Sequence, residues 1–322
     1  MQGNTRRIRL KVRVIPFFLL IVIMIVLSYK VLTGGRHLAE PNDSEKISSV
    51  QTLNPAKEHS VLLSSKTLHS PYVILLDIDN NTILMEKNSK DKIYPASLTK
   101  MMTAITSIEN LQDFKKEIKL THYTFNGLYA ADASLAGFQP GEGVRALDLL
   151  YGVMLPSGAE ACIGLADEIA GSEKDFVQIM NQKAIDLGMN NTHFENATGL
   201  HNENHYTTVK DLAILLRYAL QNDTFREIFT SSSHSTQPTN THRGITFYNT
   251  MFEKLSNKSI AGGEIIGGKT GYTREAGLCL ASLAIVGNKE YILITAGAKG
   301  DHFSEQYNIT DALTVYNSIE NK

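Results

Sequence analysis

The strand-like runs of this 322-residue chain fall in two distant stretches, with helix-like sequence between them. Near its first third, "YVILLDIDNNTILMEKN" gives two such runs around Asn80-Asn81, a pair that tolerates the positive φ of a tight hairpin. After residue 263, "GEIIGGKTGYT", "GLCLASLAIVG" and "EYILITAGAKG" give three more, with a hairpin expected at Asn288-Lys289. Sequence-distant strands are best satisfied in one sheet. The expected class is therefore α/β in the broad α+β sense: a mainly antiparallel five-stranded sheet flanked by helices, with the middle helices forming a lobe at its side.

The helical signals are clear. From Leu98 to Asn110, Met101, Met102, Ile105 and Ile108 recur along one face. A turn in "FQPGEGV" leads to a helix from Val144 to about Leu155. "AEACIGLADEIAG" and "EKDFVQIMNQKAIDLGM" read as helices ended by Gly171 and Gly188. "TVKDLAILLRYALQND" is another, and "EQYNITDALTVYNSIE" closes the chain as an amphipathic helix.

Residues 1–35 are of a different kind. Arg6, Arg7, Arg9, Lys11 and Arg13 precede Val14 to Tyr29, which carries no charge, and no acid appears before Glu40. A basic flank before an apolar stretch is the pattern of a segment whose N-terminus stays in the cytoplasm. With Lys30 snorkelling and Val31 and Leu32 added, the stretch reaches membrane-spanning length. The reading is a single-pass anchor with everything after it on the extracytoplasmic face; a cleaved signal peptide is the competing one. Residues 36–69 are polar and lack a clear period, as in a linker. Residues 70–322 form the working domain.

The composition, 43% hydrophobic and 20% charged, is ordinary for a globular domain. A formal net charge of −2 gives no support to nucleic-acid binding. Two cysteines in apolar surroundings, Cys162 and Cys279, read as packed thiols rather than a bridge.

The candidate chemistry lies in three short segments. In "KIYPASLTKMMTAI", Ser97 and Lys100 are three apart on a helix and share a face. A serine becomes a good nucleophile when something accepts its proton, and a lysine does this if burial or a nearby cation lowers its pKa. Alone, the pair could be a helix cap beside a surface lysine. The second segment is "MLPSGAEA", with Ser157 between two helices, where a cap would also explain it. The third is "GGKTGYT", which puts Lys269, Thr270 and Gly271 on a strand. A cation, a hydroxyl and an open backbone edge suit the terminal carboxylate of an extended peptide, though a solvated strand end is the plainer account.

Together, Ser-x-x-Lys, a second Ser and Lys-Thr-Gly resemble the active-serine penicillin-recognising enzymes. "YPASLTKMMTA", "FQPGEGV", "DLLYGVMLPSG", "FENATGLHNENHYTTVKDLAIL" and "GGKTGYTREAGLCLAS" are similar to the low-molecular-mass penicillin-binding proteins that are D-alanyl-D-alanine carboxypeptidases. The resemblance runs from about Ser70 to the C-terminus. It implies a β-lactamase/transpeptidase-like fold, no cofactor and no metal, a peptidoglycan stem peptide ending in D-Ala-D-Ala as substrate, and β-lactams as covalent ligands. It implies that Ser97 attacks the penultimate carbonyl, Lys100 is the base and Ser157 relays a proton to the leaving amine. It further implies that Lys269 and Thr270 hold the terminal carboxylate, that Gly271 lets the substrate come close, and that the N–H groups of Ser97 and Tyr272 form the oxyanion hole.

The chain departs from the family pattern at one point. The second motif should end in asparagine, and Ala159 stands there. Losing one hydrogen bond to a charged group costs about 1.5–3 kcal/mol, roughly one to two decades in rate. Glu160 is the neighbour that could reach into the space with a carboxylate. His302, in "GDHFSE", is the candidate for a basic residue beside the carboxylate site.

Three rivals follow from the same residues. A catalytically weak penicillin-binding or sensing protein fits Ala159. A serine β-lactamase would use Glu195 to activate water. A zinc peptidase is suggested by His201 and His205, four apart, but the motif needs Glu where Asn202 stands.

Overall fold

The run Gly277–Val286 carries no charge and is buried along nearly its whole length. Such a strand needs a partner on each edge and apolar cover on each face, and the fold supplies both. The computed structural model describes residues 53–55 and 67–319. Its strands are β1 (Asn54–Pro55), β2 (Tyr72–Asp77), β3 (Thr82–Lys87), β4 (Glu117–Lys119), β5 (Gly143–Arg145), β6 (Ser233–Ser235), β7 (Thr246–Tyr248), β8 (Ser259–Ile260), β9 (Gly263–Thr273), β10 (Gly277–Val286) and β11 (Lys289–Ala298). Its helices are α1 (Thr99–Asn110), α2 (Ala146–Met154), α3 (Ala159–Ala170), α4 (Glu173–Asp186), α5 (Val209–Ala219), α6 (Asp223–Thr230), α7 (Thr250–Lys254) and α8 (Tyr307–Asn317).

The main sheet runs β1-β3-β2-β11-β10-β9-β8. It has seven strands where the sequence suggests five. The five long ones are those expected, and the extra two are two-residue strands at the edges. Every pairing is antiparallel except β1 with β3.

Alternate residues of each strand serve two cores. Ile74, Leu76, Cys279, Ala281, Leu283, Ile292 and Ile294 face the helical lobe built around α1 to α6. Val73, Leu75, Leu280, Ala284 and Leu293 face the layer made by α8. Both cysteines are free and fully buried, and burial pushes each thiol up to about 12.

Two boundaries differ from expectation. The β10–β11 turn is Gly287-Asn288, because Lys289 already pairs with Val286 and Gly287 takes φ 61. Helix α2 begins at Ala146, because Gly143–Arg145 pairs with Glu117–Lys119 as a two-stranded ribbon. The basic flank and apolar stretch of residues 1–35 lie outside the described residues, as does most of the linker. Among the described residues no helix is long and apolar enough to cross a membrane.

Candidate active site

Pro95 precedes a single 3-10 turn, Ala96–Leu98, from which α1 continues. Ala96 takes φ 47, a left-handed conformation that costs a non-glycine residue about 1–2 kcal/mol. The surroundings hold it there through two glycines. A Cβ on Gly199 would stand 2.0 Å from the Ala96 carbonyl oxygen, and one on Gly271 would stand 3.2 Å from the Ser97 nitrogen. Only glycine fits at 199, with its positive φ and backbone clash, and at 271 any side chain would crowd the turn. Thus β9 passes directly beside the amide of Ser97.

One helical turn after Ser97, Lys100 lies buried in α1. Its Nζ is 3.1 Å from Ser97 Oγ and 2.5 Å from the Thr198 carbonyl oxygen. Burial holds its pKa below the usual lysine range, against the opposing effects of Cys162 and Glu160. The carbonyl of Thr198 is itself fixed. Asn196 Oδ1 accepts from Thr198 N, Thr198 Oγ1 and Gly199 N at 3.2, 3.0 and 2.7 Å. Thr103 Oγ1 donates to the Ala197 carbonyl at 2.6 Å, tying the same turn back to α1.

Ser157 joins α2 to α3 with φ 69, a second strained non-glycine residue. Lys269, on β9 and fully buried, donates from Nζ to Ser157 Oγ at 3.0 Å and to the Thr270 carbonyl at 2.9 Å. Burial lowers its pKa well below the usual range, and the charge of Lys100 adds to the effect. Thr270 Oγ1 lies 2.7 Å from Thr250 Oγ1 at the head of α7. Asn249 caps α7 and donates to the Gly268 carbonyl, which anchors that helix to β9.

Ser97, Lys100, Thr198 and Gly199 open onto a cleft of about 500 Å³. Its walls are residues 131–134 with Ala159, residues 198–201, and residues 272–275 with 301–303. His302 is on the rim, its ring edge-on to Tyr272 at 4.8 Å. Burial lowers its pKa, Lys254 lowers it further, and Asp301 and Asp132 oppose them. Ser97, Lys100, Tyr272 and His302 line this cleft, and Gly271 stands against the Ser97 amide; Ser157, Lys269 and Thr270 are bonded to one another through the Lys269 amine and are not among the lining residues.

Three expectations change. Glu160 does not reach into the cleft: its Oε1 accepts from the backbone N–H groups of Ala136 and Gly137 at 2.7 and 2.9 Å. The carboxylate braces the wall from behind, and burial raises its pKa. Glu195 is not part of the cleft lining; its carboxylate meets His193 at 2.9 Å. His201 and His205 do not converge. His205 Nδ1 accepts from Glu195 N–H at 3.2 Å, so Nε2 carries the proton and donates to Thr99 Oγ1 at 2.8 Å. Burial, with smaller contributions from nearby His193, His201 and Lys100, pushes its pKa down to about 3. His201 stands edge-on to Tyr94 and lines the cleft.

Asn196, Thr198 and Gly199 went unassigned in the sequence, although "ENATGL" carried a signal: an Asx residue followed three positions later by glycine marks a side-chain-closed turn. Asp132, Ser134, Arg274 and Glu275 gave no such signal, because loop residues reach the cleft only through the tertiary fold.

The site thus sets two buried lysine amines beside two serine hydroxyls, Lys100 at Ser97 and Lys269 at Ser157. The D-alanyl-D-alanine carboxypeptidase family matches residues 59–300, and the chain belongs to it. It is 35% identical over 247 residues to D-alanyl-D-alanine carboxypeptidase DacF of Bacillus subtilis, covering 76% of this chain and 61% of that one. It is 33% identical over 253 residues to DacC of Escherichia coli, covering 74% and 60%. The chain thus spans about three-fifths of the length of these relatives. The crystal structure of a Streptomyces D,D-transpeptidase superposes with a TM-score of 0.71 at 28% identity, covering 79% of this chain and 98% of that one. A Mycobacterium tuberculosis D-alanyl-D-alanine carboxypeptidase structure, at 22% identity and a TM-score of 0.69, shares the fold.

Proposed function

We propose that this chain is a serine D,D-carboxypeptidase that removes the terminal D-alanine from peptidoglycan stem peptides. The observation that carries the reading is the buried Lys100 Nζ, 3.1 Å from Ser97 Oγ, with its pKa lowered by burial. A neutral amine at that distance accepts the hydroxyl proton as Oγ attacks the carbonyl of the penultimate D-alanine. The oxyanion meets the backbone N–H groups of Ser97 and Tyr272, a type of contact worth about 3–4 kcal/mol per donor. The leaving D-alanine amine takes a proton through Ser157, and the acyl group stays on Ser97 as an ester. Water, deprotonated by the same lysine, then releases the shortened peptide and restores Ser97.

Lys269, protonated as the anionic terminal carboxylate arrives beside it, supplies the charge and Thr270 the hydroxyl, with Gly271 letting β9 press against the Ser97 turn and His302 at the rim. β-Lactams present the same carbonyl and carboxylate and acylate Ser97. The basic flank and apolar stretch at the N-terminus anchor the domain on the extracytoplasmic face of the membrane, where this substrate lies.

The test is mass spectrometry after mixing with a fluorescent penicillin, beside D-alanine release from an acyl-D-Ala-D-Ala peptide. The expected result is one adduct on Ser97 and stoichiometric release, both absent in Ser97→Ala. An adduct elsewhere, or labelling without release, contradicts the reading; the second outcome would make the protein a penicillin-binding sensor.

A second reading is transfer of the acyl group to an amine instead of water. It is favoured by the likeness to a Streptomyces structure named a D,D-transpeptidase, 98% of which this chain covers at 28% identity. Adding an amino-acid acceptor to the release assay and weighing the products separates the two.

A further inference from the structure

A second cavity, of about 490 Å³, opens beside the catalytic cleft and shares Arg274 and Glu275 with it. Its walls carry Lys92 from the segment before the nucleophile, Arg274 from the β9–β10 turn and Lys299 from the end of β11. Three cations face one carboxylate, Glu275, which lies 3.9 Å from His201 on the cleft side. Among the described residues none of the three cations forms an ion pair. The Lys92 Nζ lies 3.8 Å over the ring of Tyr206, outside the cavity lining. A third hollow continues past Lys299 to the stacked rings of His69 and Tyr307. Cations drawn from three separate segments thus line a groove that adjoins the cleft.

The direction of β9 says which part of a substrate arrives there. Lys269 marks the end of the ligand that bears the terminal carboxylate, and Gly271 stands against Ser97. An extended peptide paired along this strand therefore runs its acyl side past Tyr272 and Thr273 toward Arg274. From Gly271 to Arg274 is about 10 Å at the rise of a strand, or three residues of an extended ligand.

We propose that this groove is an anionic subsite, receiving a carboxylate carried about three residues upstream of the carbonyl that Ser97 attacks. The proposal rests on the carboxypeptidase reading for the direction of the substrate. Exposed cations each contribute modestly, up to roughly fivefold in affinity, and such contacts weaken with salt.

The test uses two acetylated five-residue peptides ending in D-Ala-D-Ala, one with glutamate first and one with glutamine first. Their binding to the full-length Ser97→Ala protein is measured by calorimetry at low and at high salt. The glutamate peptide is expected to bind about tenfold more tightly at low salt, and to lose that advantage at high salt. The advantage is also expected to disappear in the Lys92→Gln/Lys299→Gln double variant and to return with arginine at both positions. Equal binding of the two peptides, binding of neither, or a preference that survives the double variant overturns the proposal. Penicillin labelling of the double variant with Ser97 intact reports its folding. If labelling is lost, the two peptides and the salt series on the otherwise unchanged protein still decide. D-Alanine release by the wild type from neither peptide, with the glutamate preference intact, would overturn the hydrolase reading and leave the groove; release from both at equal KM would overturn the groove alone.

Discussion

Lys100 and Lys269 each bring a buried amine to a serine hydroxyl, at 3.1 and 3.0 Å, by opposite routes. Lys100 reaches Ser97 within one helical turn, so local geometry nearly guarantees the contact. Lys269 reaches Ser157 across a sequence separation of 112, so the contact exists only when β9 is seated against the α2–α3 junction. Burial lowers both pKa values, and for Lys269 the nearby Lys100 charge lowers it further. What differs is the second partner. Lys100 leans on the Thr198 carbonyl, held by Asn196, whereas Lys269 leans on the carbonyl of its own neighbour Thr270. On the proposed reading the first lysine moves a proton, and the second, on the strand that would receive the ligand, holds one end of it.

That division of labour can be broken with one pair of variants. Lys100→Met removes the acceptor of the Ser97 proton, and is expected to lower kcat by roughly 10³-fold or more, in the range seen for loss of a catalytic base. Lys269→Gln keeps a donor near Ser157 but loses the charge, and is expected to lower kcat/KM by about one to two decades, from the 1.5–3 kcal/mol of a charged hydrogen bond. Most of that loss should appear in KM. Steady-state kinetics on an acyl-D-Ala-D-Ala peptide checks both, and equal kcat losses from the two variants would erase the distinction.

A smaller effect sharpens the comparison. Ala159→Asn adds an amide at the wall facing the cleft, where the family pattern has it contact the substrate and the catalytic lysine. The expected gain in kcat/KM is about tenfold, carried mainly by kcat, for one recovered hydrogen bond. A fall in activity would mean that residues 131–134, which accept the Ala159 N–H at the Ser134 carbonyl, have filled the space.

Features set by short-range rules were legible in the sequence. The five long strands, α1, the helices ended by glycine and the three motif segments follow from periodicity, turn chemistry and spacing. The motifs carried no information on their own about meeting in one cleft; the family resemblance supplied that. What escaped depends on tertiary contact. Glu160 turns away from the cleft because the backbone of Ala136 and Gly137 offers its carboxylate two donors. The β6–β7 hairpin is mostly polar and has no alternating pattern, yet His234 meets Asp148 at 2.7 Å and His242 meets Glu142 at 2.6 Å, which pin it to the lobe. The edge strands β1 and β8 are two residues long, below any periodic signal.

The central claim is that a neutral Lys100 takes the proton of Ser97, and the pH dependence of the acylation rate by a β-lactam tests it most directly. A lysine with a lowered pKa is uncharged above that pKa and gains a proton as pH falls through it. The acylation rate is therefore expected to drop tenfold per pH unit on the acid side and to level off below 10.5, the ordinary lysine value. A rate that is flat across the acid range, or that keeps climbing until pH passes 10.5, would contradict the assignment of Lys100 as the base.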